Sequence, residues 1–506
     1  MSVQGVDVVI IGGGLAGLAA ADTLRQINFA RPKDAQITYV VLEGSGRPGG
    51  RVATRHPEYG WLDMGGAYIT LTQRYVQQYV AMFEIPTITS LISDEDTHWK
   101  FQREDGSVLT LNSGPDPSNF PGGNDTAELL AILDVLTCDV RASLDDPRLA
   151  LNAQRFDSWT AADFADNYEQ FSRSQKPMNP NTRQAFNLAV RSAFSVEPED
   201  LSFLFMLYYA ARTGSFAMLA DILSGPLSAE GTRMVYGAER LVDALVGVLP
   251  KDTVKCNETV TTIDRTASDA IKVTSTTGVW RARRVITALS PAVSGRITYV
   301  PALDAAKPLE KQRLDLTANM KMGRTIKGFL IYKRAWWREM GFSGNTMATH
   351  ADRERYPLDW ALDNVWDPPK RDPDQPVPAY PASLMTFIVG AAADLWAAPK
   401  KTLAERREAL VAQLVEIYGV SAPRDELVEY VEHDYRDVPL IGGCPTGVLG
   451  PGALSAAFPA LRAPVGRIHW AGTESATDWC GYMDGALQSG MRAALEVLSP
   501  TTGGVE

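Results

Sequence analysis

The chain opens on a short apolar run, Asp7–Ile11, that stops at Gly12-Gly13-Gly14, with a further glycine at position 17. The run predicts a strand, and the alanine- and leucine-rich stretch to about Gln26 predicts a helix. A second apolar run, Ile37–Leu42, predicts another strand and ends on Glu43. Strand, glycine turn, helix, strand and acidic residue is the βαβ order of a dinucleotide-binding unit. From about Tyr75 to Met234 the pattern is mainly helical, broken by a polar loop around Asn112–Asp125. Strand-like segments return at Thr253–Ile263, Ala270–Thr274 and Arg284–Ala288. A mixed region follows, and its Pro-rich stretch Asp367–Pro381 reads as an exposed loop. The closing helix is predicted from about Gly481 to Leu498, with Leu487, Met491, Leu495 and Leu498 on one face. No internal repeat is found.

Each part of the first unit has a physical task. Gly12 permits a tight turn, Gly14 lets backbone approach a pyrophosphate at a helix N-terminus, and Gly17 lets the helix pack closely on the strand. Glu43 can accept hydrogen bonds from a ribose hydroxyl. Arg31–Asp34 lengthens the helix-to-strand connection, so Glu43 stands further along than the usual spacing of about 20 residues. This motif alone leaves a ligand-free glycine turn, NAD and FAD all open.

Composition narrows the class. A chain of 506 residues suggests two or three units with sizeable cores. The net charge of -11 argues against nucleic acid and against an anionic membrane surface. There is no apolar run of membrane-spanning length, no basic leader with a cleavage site and no lipidation signal at the C-terminus. Cys138, Cys256, Cys444 and Cys480 form neither a disulfide framework nor a zinc pattern, so no metal is expected. The expectation is a soluble, cytoplasmic protein without a membrane anchor.

Further motifs follow. Arg47-Pro-Gly49-Gly50-Arg51-Val52 and Asp63-Met-Gly65-Gly66-Ala67-Tyr68 lie just beyond Glu43. His469-Trp-Ala471-Gly472-Thr473-Glu474 and Gly481-Tyr482-Met483-Asp484-Gly485-Ala486 lie near the end. In these motifs, in this order, the sequence resembles the flavin monoamine oxidase family over nearly its whole length. The resemblance implies an α/β fold. Its Rossmann-like FAD-binding domain is assembled from residues 1–75, 231–298 and 435–506, beside a mixed sheet-and-helix substrate domain of residues 76–230 and 299–434.

It also implies FAD contacts at Gly50, Arg51, Gly65, Gly66, Ala67, Gly472, Thr473 and Glu474, at the backbone of Met483, and at Val260 beside the adenine. A helix beginning at Gly481–Gly485 would turn its positive end toward the flavin O2, where negative charge develops on reduction. Cys444, in Gly442-Gly443-Cys444-Pro445-Thr446, is similar to the family cysteine that thioether-links to the flavin 8α-methyl; a buried core thiol is the alternative. Tyr435 falls where the family usually has tryptophan.

Three positions depart from the family. Tyr482 supplies one wall of the aromatic cage that frames the amine, but Pro445 stands where the second aromatic belongs. Arg296 occupies the place of the lysine that reaches flavin N5 through water, or is a surface cation if the alignment slips. Arg212, on the segment Leu201–Gly214 with Tyr209, would suit a substrate carboxylate if it faced the cavity; a solvated helix-end arginine is the alternative. The implied activity is FAD-dependent oxidation of a primary or secondary amine to an imine, with dioxygen reduced to hydrogen peroxide. Tyr482, Arg296 and Tyr435 are the candidate catalytic residues, and a homodimer is an expected assembly. The rival is an oxidase or desaturase of an unusual biosynthetic intermediate on the same fold.

Overall fold

A computed structural model describes residues 3–58, 60–89, 97–112, 120–219, 231–364 and 382–499. The Pro-rich stretch expected as an exposed loop lies outside these residues, as does most of the polar loop before Asn124. The opening apolar run forms the strand Val3–Ile11, parallel to Tyr39–Leu42 on one side and to Val279–Thr287 on the other. Val254–Lys255 extends the sheet beyond Tyr39–Leu42, again parallel. Val279–Thr287 is shared along its other edge. Its first half pairs antiparallel with Ile271–Ser275, and its second half pairs parallel with Ile468–Trp470. Val260–Asp264 and Thr298–Val300 complete the eight strands.

Five parallel strands therefore end in register. Ile11 lies beside Leu42 and Thr287, Leu42 beside Lys255, and Thr287 beside Trp470. Ligands of open α/β sheets bind at the carboxyl ends of the strands, and here those ends carry Gly12, Glu43, Ala288 and Ala471. The helix Leu15–Phe29 packs on the closing helix Met483–Glu496. Gly490 makes their close approach possible, since a Cβ there would lie 2.0 Å from the Ala16 carbonyl oxygen. The closing helix turns inward most of the expected stripe, with Leu487 buried and Met491 and Leu498 packed against the same core. Met483, Leu487, Gly490, Ala494 and Val497 are buried, while Leu495 is 57% exposed. Small residues at 490 and 494 let the neighbouring helix come close, so that only Leu495 of the expected stripe is left outside.

The second sheet has seven strands in the order Leu427–Asp434, Thr325–Tyr332, Ala382–Val389, Trp360–Asp363, Phe342–Ala348, His98–Gln102 and Val108–Asn112. The last two form a hairpin inside the region expected to be mainly helical. Trp99 and Phe101 are buried at period two, and Arg103–Ser107 makes the turn at Asp105-Gly106. Thr87–Thr89 and Thr232–Met234 are also strands. Helices dominate only from Asn124 to Leu219, around an aromatic core in which Phe164 and Phe203 stack at 4.3 Å.

Candidate active site

A cavity of about 790 Å³ runs from the ends of the parallel strands to the face of the seven-stranded sheet. At its nucleotide end lie Gly12, Gly14, Glu43 and Val260. Gly12 turns the chain with φ at +103°, and the helix from Leu15 starts without a side-chain cap, so its first N–H groups face the cavity. Glu43 is buried. Its Oε2 accepts from Gly13 N at 2.7 Å, and its Oε1 accepts from Ser45 N and Oγ, each at 2.7 Å. These bonds fix the carboxylate at the cavity wall. Val260 opens the strand Val260–Asp264 and lines the same end.

The middle is built by Gly50, Arg51, Gly65, Gly66, Ala67 and Gly472, all of which line the cavity. Arg51 was expected as an FAD contact. It meets Glu474 in a two-pronged contact, 2.7 Å from Nη1 to Oε1 and 3.3 Å from Nη2 to Oε2, and also donates to the Pro445 carbonyl at 2.9 Å. Burial pushes the Glu474 carboxyl up, but Arg51 outweighs it and holds the group below its ordinary value. Glu474 thus acts behind the wall as the counter-ion of Arg51, and Gly17 likewise supports the turn from outside the lining. Thr473 lines the cavity and donates to the Tyr482 carbonyl at 2.8 Å.

At the far end the closing helix begins at Met483, again without a side-chain cap, and both Met483 and Tyr482 line the cavity. Tyr209 lies 6.4 Å from the Tyr482 ring, its hydroxyl filling the space a side chain at Gly481 would need. Cys444, Pro445 and Tyr435 complete this end, and the Tyr435 hydroxyl donates to the Arg51 carbonyl at 3.1 Å. Arg296 is exposed at the cavity edge and donates to the Pro439 carbonyl. Arg212 lies outside the lining. Its guanidinium donates to the carbonyls of Thr477 and Leu144 and leans on the Tyr208 ring, so it ties segments together and does not face a substrate.

The sequence reading missed one row of side chains. Register places His433, Lys327, Phe387, Trp360 and Met347 side by side across the seven-stranded sheet, and all five line the cavity. Trp360 and Phe387 stack at 4.4 Å. Lys327 donates to the Gly65 carbonyl at 2.9 Å. Its signal was present, because it is the one charged residue in the fully buried strand Thr325–Tyr332. Among the described residues, the only carboxylates lining the cavity are Glu43 and Glu258, and no group of three His, Cys, Asp or Glu side chains could hold a metal ion.

Asp484, in the first turn of the closing helix, accepts from Val76 N at 2.8 Å, and burial pushes its carboxyl up to about 6. A carboxyl raised above its ordinary value of 3.8 binds its proton more tightly in the folded state. Stability is therefore expected to fall as pH rises from about 4 through about 6, and the deficit to persist above that range. Asp484→Asn keeps the acceptor and removes the charge, which should stabilise the protein by up to roughly 3 kcal/mol at neutral pH. Melting curves at pH 4.5 and 8 test this; parallel pH dependence in the two proteins would contradict it.

Two uncapped helix starts, glycine-lined walls and strand ends in register fit a long dinucleotide bound in extended form, which defines an FAD-binding α/β protein. Residues 15–498 match the family described as flavin containing amine oxidoreductase, and the chain belongs to that family. It is similar to a probable flavin-containing monoamine oxidase A of Dictyostelium discoideum, 28% identical over 97% of both chains. It is also 30% identical to the flavin-containing amine oxidase of Danio rerio, over 98% of this chain and 87% of that one. Cyclohexylamine oxidase from Brevibacterium oxydans superimposes with a TM-score of 0.80 at 26% identity, covering 97% and 98% of the two chains. Putrescine oxidase bound to putrescine shares the fold, with a TM-score of 0.80 at 22% identity over 99% and 100%. The protein is thus a flavin-dependent oxidoreductase acting on amine donors, with FAD as its cofactor. No helix among the described residues is long and apolar enough to cross a membrane.

Proposed function

We propose that this chain oxidises neutral monoamines with an apolar or aromatic body to imines and passes the electrons to dioxygen. The observation that carries the reading is the far end of the cavity, where Tyr482 and the stacked Trp360–Phe387 pair offer apolar walls and no described lining residue is a carboxylate. A second ammonium group would enter this site without a counter-ion. Bound here, FAD would supply the redox chemistry: a hydride leaves the amine's α-carbon and a proton leaves its nitrogen, and the two electrons with both protons reach dioxygen as hydrogen peroxide. The chain's own part is to orient and desolvate. Tyr482 would form one wall beside the amine, Pro445 would leave the opposite wall without an aromatic ring, and the N–H groups at Met483 would hold the electron-rich edge of the flavin.

The nucleotide-binding half comprises residues 1–75, 231–298 and 435–506, the substrate half the rest, and Cys444 is the point of covalent attachment to FAD. Four unpaired cysteines support a cytoplasmic setting. The test is hydrogen peroxide release from aryl and alkyl monoamines, diamines and amino acids. Monoamines should turn over with kcat/KM at least about tenfold above diamines of equal length. Flavin that only a non-amine can reduce would move the assignment to a desaturase of the same fold.

A further inference from the structure

We propose that Thr325 and Lys327, on one face of the strand Thr325–Tyr332, are positioning residues that ready Cys444 to form a thioether bond with the 8-methyl group of FAD. The inference rests on the covalent reading above and names the groups that would bring it about. The Cys444 backbone is held from two sides. Its N–H donates to the Gly323 carbonyl at 3.0 Å, and its carbonyl accepts from the Thr325 hydroxyl at 3.1 Å. The next carbonyl, of Pro445, is held by Arg51. The segment is therefore clamped between the flavin-facing loop of Arg51 and the sheet.

The attacking species must be the thiolate. Burial pushes the Cys444 thiol up to about 11, and the nearby Asp434 pushes the same way. A hydrogen bond with Thr325 and the positive charges of Lys327 and Arg51 act in the opposite direction. Arg51 is already neutralised by Glu474. Lys327 sits on the same strand face as Thr325, two residues along, with its ammonium on the Gly65 carbonyl and the rings of Phe329 and Phe387 each 5.6 Å away. Low polarity on those sides strengthens its field at the sulfur. The Thr325 hydroxyl also donates to Ser195 Oγ at 2.6 Å, which fixes its place beside Cys444.

The attachment step balances. The methyl carbon and the thiol each lose one proton, a C–S bond forms, and two electrons with both protons pass to the isoalloxazine. Dioxygen then removes them as hydrogen peroxide.

The experiment uses full-length apoprotein from riboflavin-starved cells, mixed with FAD in air. The flavin that stays with an acid pellet is followed in time, and the mass of the Cys444 peptide identifies the link. Wild type should become acid-stable. Lys327→Met and Thr325→Val should bind FAD but attach it at least about tenfold more slowly, Lys327→Arg should recover much of the rate, and the gap should persist from pH 7 to 9 while every rate rises, since both thiols lie well above that range. Attachment by Lys327→Met at the wild-type rate overturns the proposal while leaving the covalent link intact. A wild type whose flavin all stays in solution overturns the covalent reading and the proposal with it. If a variant fails to hold FAD, alkylation of Cys444 in the apoproteins decides: an upward shift in the pH midpoint supports the roles, and an unchanged midpoint refutes them.

Discussion

Glu474→Gln is expected to give a protein that melts far below wild type and sheds FAD on purification. The carboxylate is buried against Arg51 and also accepts from Gly447 N at 3.2 Å. Glutamine leaves the half-buried guanidinium without its carboxylate partner, and breaking one side of a buried pair costs about 3–5 kcal/mol. Arg51 also holds Pro445, so the damage reaches the far end of the cavity. The pH dependence has a definite sign. The Glu474 carboxyl lies below its ordinary value of 4.5 in the folded state, since the charge of Arg51 outweighs burial. Its contribution is present above about pH 4.5 and is lost as pH falls through the lower folded value. Wild type should therefore lose stability across that acid range, while Glu474→Gln, already lacking the contribution, should not. Thermal melts followed by flavin fluorescence would settle it; a variant melting within a degree or so of wild type at pH 7 would refute the counter-ion role.

Gly17→Ala should yield protein without bound flavin, if it accumulates at all. A Cβ at position 17 would lie 1.9 Å from the Gly12 carbonyl oxygen, a methyl group against backbone, with no flexible side chain to give way. Overpacking commonly costs about 1–3 kcal/mol, and a backbone clash belongs at or above the top of that range. The helix Leu15–Phe29 would have to lift off the strand that delivers Gly12, moving its N–H groups away from the cavity. Gly5→Ala is the matched control, because nothing lies within 4 Å of a Cβ there. The ratio of flavin to protein absorbance in purified material should collapse for the first and stay at the wild-type value for the second. Equal ratios would show that close helix–strand packing is dispensable for binding.

Much of this was legible in the chain. The first βαβ unit and the paired glycine motifs at either end named the cofactor, because a long dinucleotide demands specific residues at several separated places. Pairings across the fold were not legible. Arg51 and Glu474 both stood among the expected cofactor contacts, yet nothing in a linear reading says that residues 423 positions apart neutralise one another. Arg212 had the right chemistry for a carboxylate, but its direction depended on the segments around Leu144 and Thr477. The hairpin His98–Asn112 was lost inside a helical stretch although its alternation is regular, and with it went the parallel pairing of His98–Gln102 to Phe342–Ala348 that extends the substrate-side sheet. Lys327 shows the opposite case, a local anomaly in an apolar strand that pointed inward.

The contact between Gly490 and Ala16 has a consequence in time. The helix Leu15–Phe29 is made long before Met483–Glu496, on which it packs, and the central strand Val279–Thr287 stays open along one half until Ile468–Trp470 has been made. The helical segment Asn124–Leu219 is contiguous and can mature early, whereas the nucleotide cradle begun at Gly12 stays unfinished until the final helix arrives. Cofactor loading is thereby restricted to chains in which Met483–Glu496 has been made, so a product that stops before it lacks the finished site in which FAD could react with oxygen.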